Sequence, residues 1–237
     1  MLTQILSFIM LSVAPFANGA GDTEGNIYLY GEQHAVEKIM KHEVELWSEY
    51  YHNENMRHLF IEMPYFAAEF LNIWMQSDND DILDALYDDL QGTAAYTPAT
   101  KEFFKAIKKQ CPETIFHGTD VGHQYQSTGK RFLQYLEARE LSESEQYKLT
   151  KEVIEQGVHY YQTRDDAFRE NKMAENFIRE FDKLDGESIM GIYGGAHTSF
   201  DTMDYKTGTV PSMAEQLKRR YGNTVHTKYI GSVTLFL

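Results

Sequence analysis

Asn26-Ile27-Tyr28-Leu29-Tyr30-Gly31-Glu32-Gln33-His34 reads as a short buried strand that runs into a glycine turn and then presents a carboxylate and an imidazole where a helix begins. Its Ile, Tyr and Leu side chains suit a pleated surface, and Gly25 and Gly31 bound the run, so a strand is favoured over a helix. Glu32 and His34 fall at the carboxyl end of that strand. In open α/β sheets this edge is where ligands bind, which makes both residues functional candidates on position alone. Near the other end of the chain, Ser188-Ile189-Met190-Gly191-Ile192-Tyr193 leads into Gly194-Gly195-Ala196-His197 and repeats the pattern of strand followed by Gly-x-x-His.

Strand and helix signals alternate between these two segments. Val36 to Tyr51 places Ile39, Met40, Val44, Trp47 and Tyr51 at helical spacing. Leu59-Phe60-Ile61 is a second buried strand that closes on Glu62, and Met63-Pro64 ends it. Helices are expected over 65–75, over 80–90 with acids in the first turn, and from Pro98 to Lys109. Thr114 to Gly118 is a third strand, running into Thr119-Asp120-Val121-Gly122-His123. From Thr128 to about Leu184 the pattern is helical, with interruptions expected near Leu141 and around Gly157. Met213 to Tyr221 is a helix, and Thr224–Ile230 and Ser232–Leu237 are expected to close the fold as two strands, a hairpin about Gly231. Together these predict an α/β domain with a mainly parallel central sheet, flanking helices and an antiparallel edge.

Composition narrows the partners. The chain has 237 residues, enough for one full core, with a net charge of −14. A nucleic-acid surface needs clustered Lys and Arg, which this acidic sequence lacks, so the expected partner is a small molecule or a peptide. Cys111 is the only cysteine, which excludes an intramolecular disulfide framework and a Cys-based zinc site. Ile5 to Phe16 is almost wholly apolar and precedes the small residues Ala17-Asn18-Gly19-Ala20. Residues 1–20 are therefore expected to be a signal peptide, although no Lys or Arg precedes the apolar run, and residues 21–237 a single domain that is secreted or sits in a bacterial cell envelope. No other apolar run reaches the length of a membrane span.

The ionisable residues fall in a pattern. Four expected inner strands end in Glu32 with His34, in Glu62, in Asp120 with His123, and in His197, and a parallel sheet brings all four ends to one edge. A single such residue is most often a cap or a solvated loop residue; four together indicate a site. Glu62, closing an apolar strand, must find a partner or a raised pKa. On the helix after Gly157, Arg169, Met173 and Asn176 share one face and Asp165 joins it one turn earlier. An arginine there can pair with a strand-end carboxylate or clamp an anionic substrate group.

Gly31-Glu32-Gln33-His34, Glu62, Arg169-Glu170-x-x-Met173-x-x-Asn176 and Gly194-x-x-His197, in this order, resemble the erythromycin esterase-like and ChaN/TIKI-TraB superfamily. The resemblance spans residue 26 to about 200. It implies a hydrolase of ester or amide bonds, or a haem-binding protein of the ChaN kind without catalysis. Carried onto this sequence, it makes His34 a general base or metal ligand, Glu32 and Glu62 its acidic partners, Arg169 an orienting group and His197 a second imidazole. The chain is much shorter than the esterases and spaces its Gly-Glu-x-His differently, so the resemblance does not extend to macrolide cleavage. In one mechanism His34 and Glu62 activate water while Arg169 or His197 stabilises the oxyanion. In the other, His34, His197 and Glu62 hold a divalent metal. Asp120 joins the catalytic set, and His123, Asp165, Asn176 and Tyr193 are candidates for holding the ligand, with haem the alternative occupant of an aromatic pocket.

Overall fold

The computed structural model describes residues 25–231; the expected signal peptide and the expected last strand, Ser232–Leu237, lie outside them. Five strands alternate with helices: β1 (Ile27–Glu32), β2 (His58–Pro64), β3 (Ile115–Asp120), β4 (Ile189–Gly194) and β5 (Val225–Tyr229). They form one sheet in the order β3-β2-β4-β1-β5 with every pair parallel. The expected antiparallel edge is absent among the described residues. β5 lies parallel to β1, Ile27 opposite Val225 and Gly31 opposite Tyr229, because helix α8 (Met213–Tyr221) returns the chain across the sheet before β5 starts.

The other described helices are α1 (Glu37–Asn53), α2 (Tyr65–Met75), α3 (Asp81–Asp88), α4 (Pro98–Gln110), α5 (Lys130–Glu137), α6 (Glu145–Thr163) and α7 (Asp166–Phe181). Their starts are set by local chemistry. Thr97 caps α4 with Pro98 in its first turn, Ser144 caps α6, and Asp165 caps α7 by accepting the Phe168 amide at 2.9 Å. The interruption expected around Gly157 does not occur: α6 runs through it, and the break falls at Arg164, whose φ is 56°. Gly157 is there for packing, since a Cβ would strike the carbonyl of Gly122. None of the described helices is long and apolar enough to cross a membrane.

Alternation along the strands divides the core in two. Tyr30, Leu59, Ile61, Met190 and Ile192 face one layer, which contains Trp47, Phe66, Trp74 and Phe104. Leu29, Phe60, Ile189 and Tyr193 face the other, built from Met173, Phe177 and Phe181 of α7 with Met213 and Leu217 of α8. The connections leaving the adjacent strands β1 and β4 run to opposite sides of the sheet, to β2 and to β5. Such a reversal opens a crevice at the carboxyl ends of the two strands.

Candidate active site

Glu32, His34, Glu62, Asp120, His123 and Arg169 all line a cleft of about 370 Å³ at that crevice. Both turns that deliver its histidines carry a non-glycine residue in the left-handed region, Ala35 at φ 59° and Gln124 at φ 52°. Backbone strain of this kind persists only where surrounding structure holds it, and it is concentrated at functional sites.

His34 stands at the mouth, its side chain 47% exposed, with Nδ1 donating to Glu32 Oε1 at 2.8 Å and Nε2 3.5 Å from Glu62 Oε2. A carboxylate only accepts, so the ring nitrogen facing it carries the proton. Glu32 first and Glu62 second push the His34 pKa up to about 10, and the ring is an imidazolium at neutral pH. Glu62 is the hub. Its Oε1 takes Arg169 Nη2 at 2.6 Å and its Oε2 takes the Gly194 amide at 2.6 Å. Gly194 must be glycine for this approach, because a Cβ would lie 2.8 Å from His34 Nε2. Burial alone would raise the Glu62 pKa; His197, His34 and Arg169 together hold it far below the carboxylate range.

Arg169 reaches from the first turns of α7 and joins the two halves of the site. Nε and Nη2 donate to Asp120 at 2.9 and 2.6 Å, so one guanidinium is shared by two buried carboxylates. Of the two roles open to it, the pairing with strand-end carboxylates is the one that its hydrogen bonds display. Asp120, buried and held ionised by Arg169 and then His123, also accepts the Val121 amide at 2.7 Å and His123 Nε2 at 3.0 Å. His123 Nδ1 faces the Tyr161 hydroxyl at 2.7 Å.

The remaining candidates lie elsewhere. His197 is behind Glu62 and outside the cleft lining: Nδ1 donates to Glu170 at 2.6 Å and Nε2 is 3.5 Å from Glu62 Oε1. Burial opposes its charge, but Glu62 first and Glu170 second outweigh it and raise its pKa. Asn176 is sealed in the core, where it donates to the Thr119 carbonyl at 3.0 Å and pairs with Gln156. Tyr193 is buried as well, its hydroxyl 2.8 Å from Thr119 Oγ1. Asp165 is spent on the α7 cap. These three serve the scaffold, and none of them lines the cleft.

The metal arrangement of His34, Glu62 and His197 does not fit. Among the described residues no group of three His, Cys, Asp or Glu is placed to hold an ion, and both oxygens of Glu62 already accept short hydrogen bonds. Two participants carry no role in the sequence reading. Glu170 ties His197 to α8 through the Met213 amide at 2.6 Å. Glu43 lies 1% exposed on the inner face of α1 and lines the cleft. Its signal was present: Ile39, Glu43 and Trp47 recur every four residues, which places a carboxylate in an apolar stripe.

No protein-family model matches this chain, and no curated protein sequence does. Solved structures do. It is similar to a mutant of the erythromycin esterase EreC in its open conformation, at a TM-score of 0.61 over 87% of this chain and 70% of that one with 12% identity. A Bacillus cereus protein aligns at a TM-score of 0.58 over 91% of this chain and 67% of its own, again at 12% identity. A succinoglycan biosynthesis protein aligns at a TM-score of 0.54 over 88% and 66%, at 14% identity. The chain therefore has the erythromycin esterase-like fold, and at these identities the likeness is one of fold alone.

Proposed function

We propose that this protein hydrolyses ester or amide bonds of an uncharged, largely apolar substrate, with water as the nucleophile and two imidazole–carboxylate pairs moving the protons. The observation that carries the reading is His34, charged and oriented by Glu32, exposed at the mouth of a cleft whose other wall holds a second oriented imidazole, His123. The cleft volume is within the range of small-molecule sites. Its body is lined by Met40, Ile61, Met63, Phe103, Phe104 and Ile192, and its acids outnumber its bases, which disfavours an anion.

The sequence-level assignment of His34 as base is exchanged for that of acid in this reading. An imidazolium donates; it stabilises negative charge developing on the carbonyl oxygen and then passes its Nε2 proton to the leaving group. His123 is the base. With Nε2–H given to Asp120, its Nδ1 has a free pair that accepts the Tyr161 hydroxyl and accepts a water in its place. That water loses a proton to His123 Nδ1 as its oxygen bonds to the carbonyl carbon. The tetrahedral intermediate then collapses, the C–O or C–N bond breaks, and the leaving group takes the proton of His34. Proton return from His123 to His34 through solvent closes the cycle.

Turnover of neutral ester and amide panels by His34→Ala and His123→Ala, with folding checked by circular dichroism, tests this. Each is expected to lose roughly 10²- to 10⁴-fold. Unchanged turnover in His34→Ala overturns the reading. A sharp Soret band on haem titration that disappears on substitution of His123 or Tyr161 points to a binding protein instead.

A further inference from the structure

Behind Glu32 lies a second carboxyl group that the reaction above does not use. Glu32 is the last residue of β1 and presents Oε1 to His34 Nδ1 at 2.8 Å. Its other oxygen, Oε2, is sealed from solvent and meets no donor, and the same holds for Oε1 of Glu43 on α1. An ionised carboxylate left unpaired in the interior is strongly disfavoured, and two in contact more so. One proton removes the conflict, because it makes one carboxyl a donor and leaves the other an acceptor. The charged groups that face Glu43 are Glu32 and His34.

We propose that Glu43 is a positioning residue that shares one proton with Glu32, so that the working unit at the mouth of the cleft is the triad Glu43, Glu32 and His34. The proton resides on Glu43, the more deeply buried member: burial first and the charge of Glu32 second push its pKa up to about 9. Glu43 donates to Glu32 and turns it, through its other oxygen, onto His34. Glu43 itself touches no reacting atom. The inference rests on the hydrolase reading for its catalytic consequence, but the shared proton stands on the two sealed oxygens and the contact between the two carboxyl groups.

The test compares Glu43→Gln, which keeps a neutral donor, with Glu43→Leu, which keeps only the bulk. The titration of the His34 ring is followed by NMR, the protonated carboxyl is followed by infrared difference spectroscopy, and kcat is measured on the best ester found. The wild-type protein is expected to show a carboxylic acid signal at pH 7 that Glu43→Gln lacks. Glu43→Gln is expected to leave the His34 titration in place and kcat within about threefold. Glu43→Leu is expected to move the His34 titration toward lower pH and to reduce kcat about tenfold, the factor that one ordinary hydrogen bond corresponds to. No acid signal at pH 7, or a His34 titration that is the same in Glu43→Leu as in the wild type, overturns the proposal. Both readouts need no turnover, so they decide it even where every substrate panel fails, and the infrared comparison in Glu43→Gln decides it if Glu43→Leu does not fold.

Discussion

Strands β2 and β3 carry a histidine–carboxylate cluster toward each end, and the two clusters pair their rings differently. Toward the amino ends, His58 Nδ1 and His117 Nε2 lie 2.8 Å apart, with Glu187 3.3 Å from His58 and Glu180 3.8 Å from His117. One ring must donate and the other accept, so at least one is neutral. Burial first and His117 second push the His58 pKa down. At the carboxyl ends, Glu62 and Asp120 share one arginine, and His34 and His197 both have raised pKa values although His197 is deeply buried. Burial therefore does not by itself decide the charge of these rings. The number of carboxylates that oppose burial differs: His34 has two and His197 has two, whereas the amino-end rings spend a nitrogen on each other.

The sharpest way to break the comparison is to remove the shared guanidinium. Arg169→Leu leaves Glu62 and Asp120 buried without their counter-charge and is expected to destabilise by about 3–5 kcal/mol, read from denaturant unfolding. A loss below about 1 kcal/mol would mean that the two carboxylates relax to solvent and that the site is not built as described. A pH series comes next. His34 has its pKa raised from 6.5 to about 10, so its stabilising contribution is complete below pH 6.5 and is lost as pH rises through 10. Glu43, raised from 4.5 to about 9, acts in the same direction. Stability is expected to decline between pH 6.5 and 10, and His34→Ala to flatten that decline; a wild-type curve already flat there contradicts the charge assignment. Glu62 and Asp120, with lowered values, lose their contribution only as pH falls far into acid. In the hydrolase reading, kcat/KM is expected to fall above about pH 10 as the free-enzyme imidazolium titrates. The smallest effect belongs to the amino-end pair: His58→Gln is expected to reduce stability by about 1 kcal/mol and leave turnover unchanged.

Much of the site was legible because strand ends are legible. An apolar run that stops at a polar residue marks both the strand and its carboxyl edge, and parallel pairing does the rest; Glu32, His34, Glu62, Asp120 and His123 reach one cleft for that reason. Helix faces were less informative. The stripe Arg169, Met173 and Asn176 does exist, but a face that starts at the cleft and runs down α7 passes from solvent into core within two turns, so Arg169 meets carboxylates while Asn176 meets Thr119 and Gln156. His197 repeats the motif of His34 yet lies behind Glu62, because the turn after β4 is packed under α8 by Glu170 while the turn after β1 opens into the cleft.

What the sequence alone determined is the order of strands and helices and which ends carry charge, since propensity, period and capping act over a few residues. Only the tertiary structure decided the parallel course of β5, the continuous α6 through Gly157, and the protonation of the site. Those depend on which groups, far apart in the chain, come within hydrogen-bonding distance in a medium too poor in water to screen them.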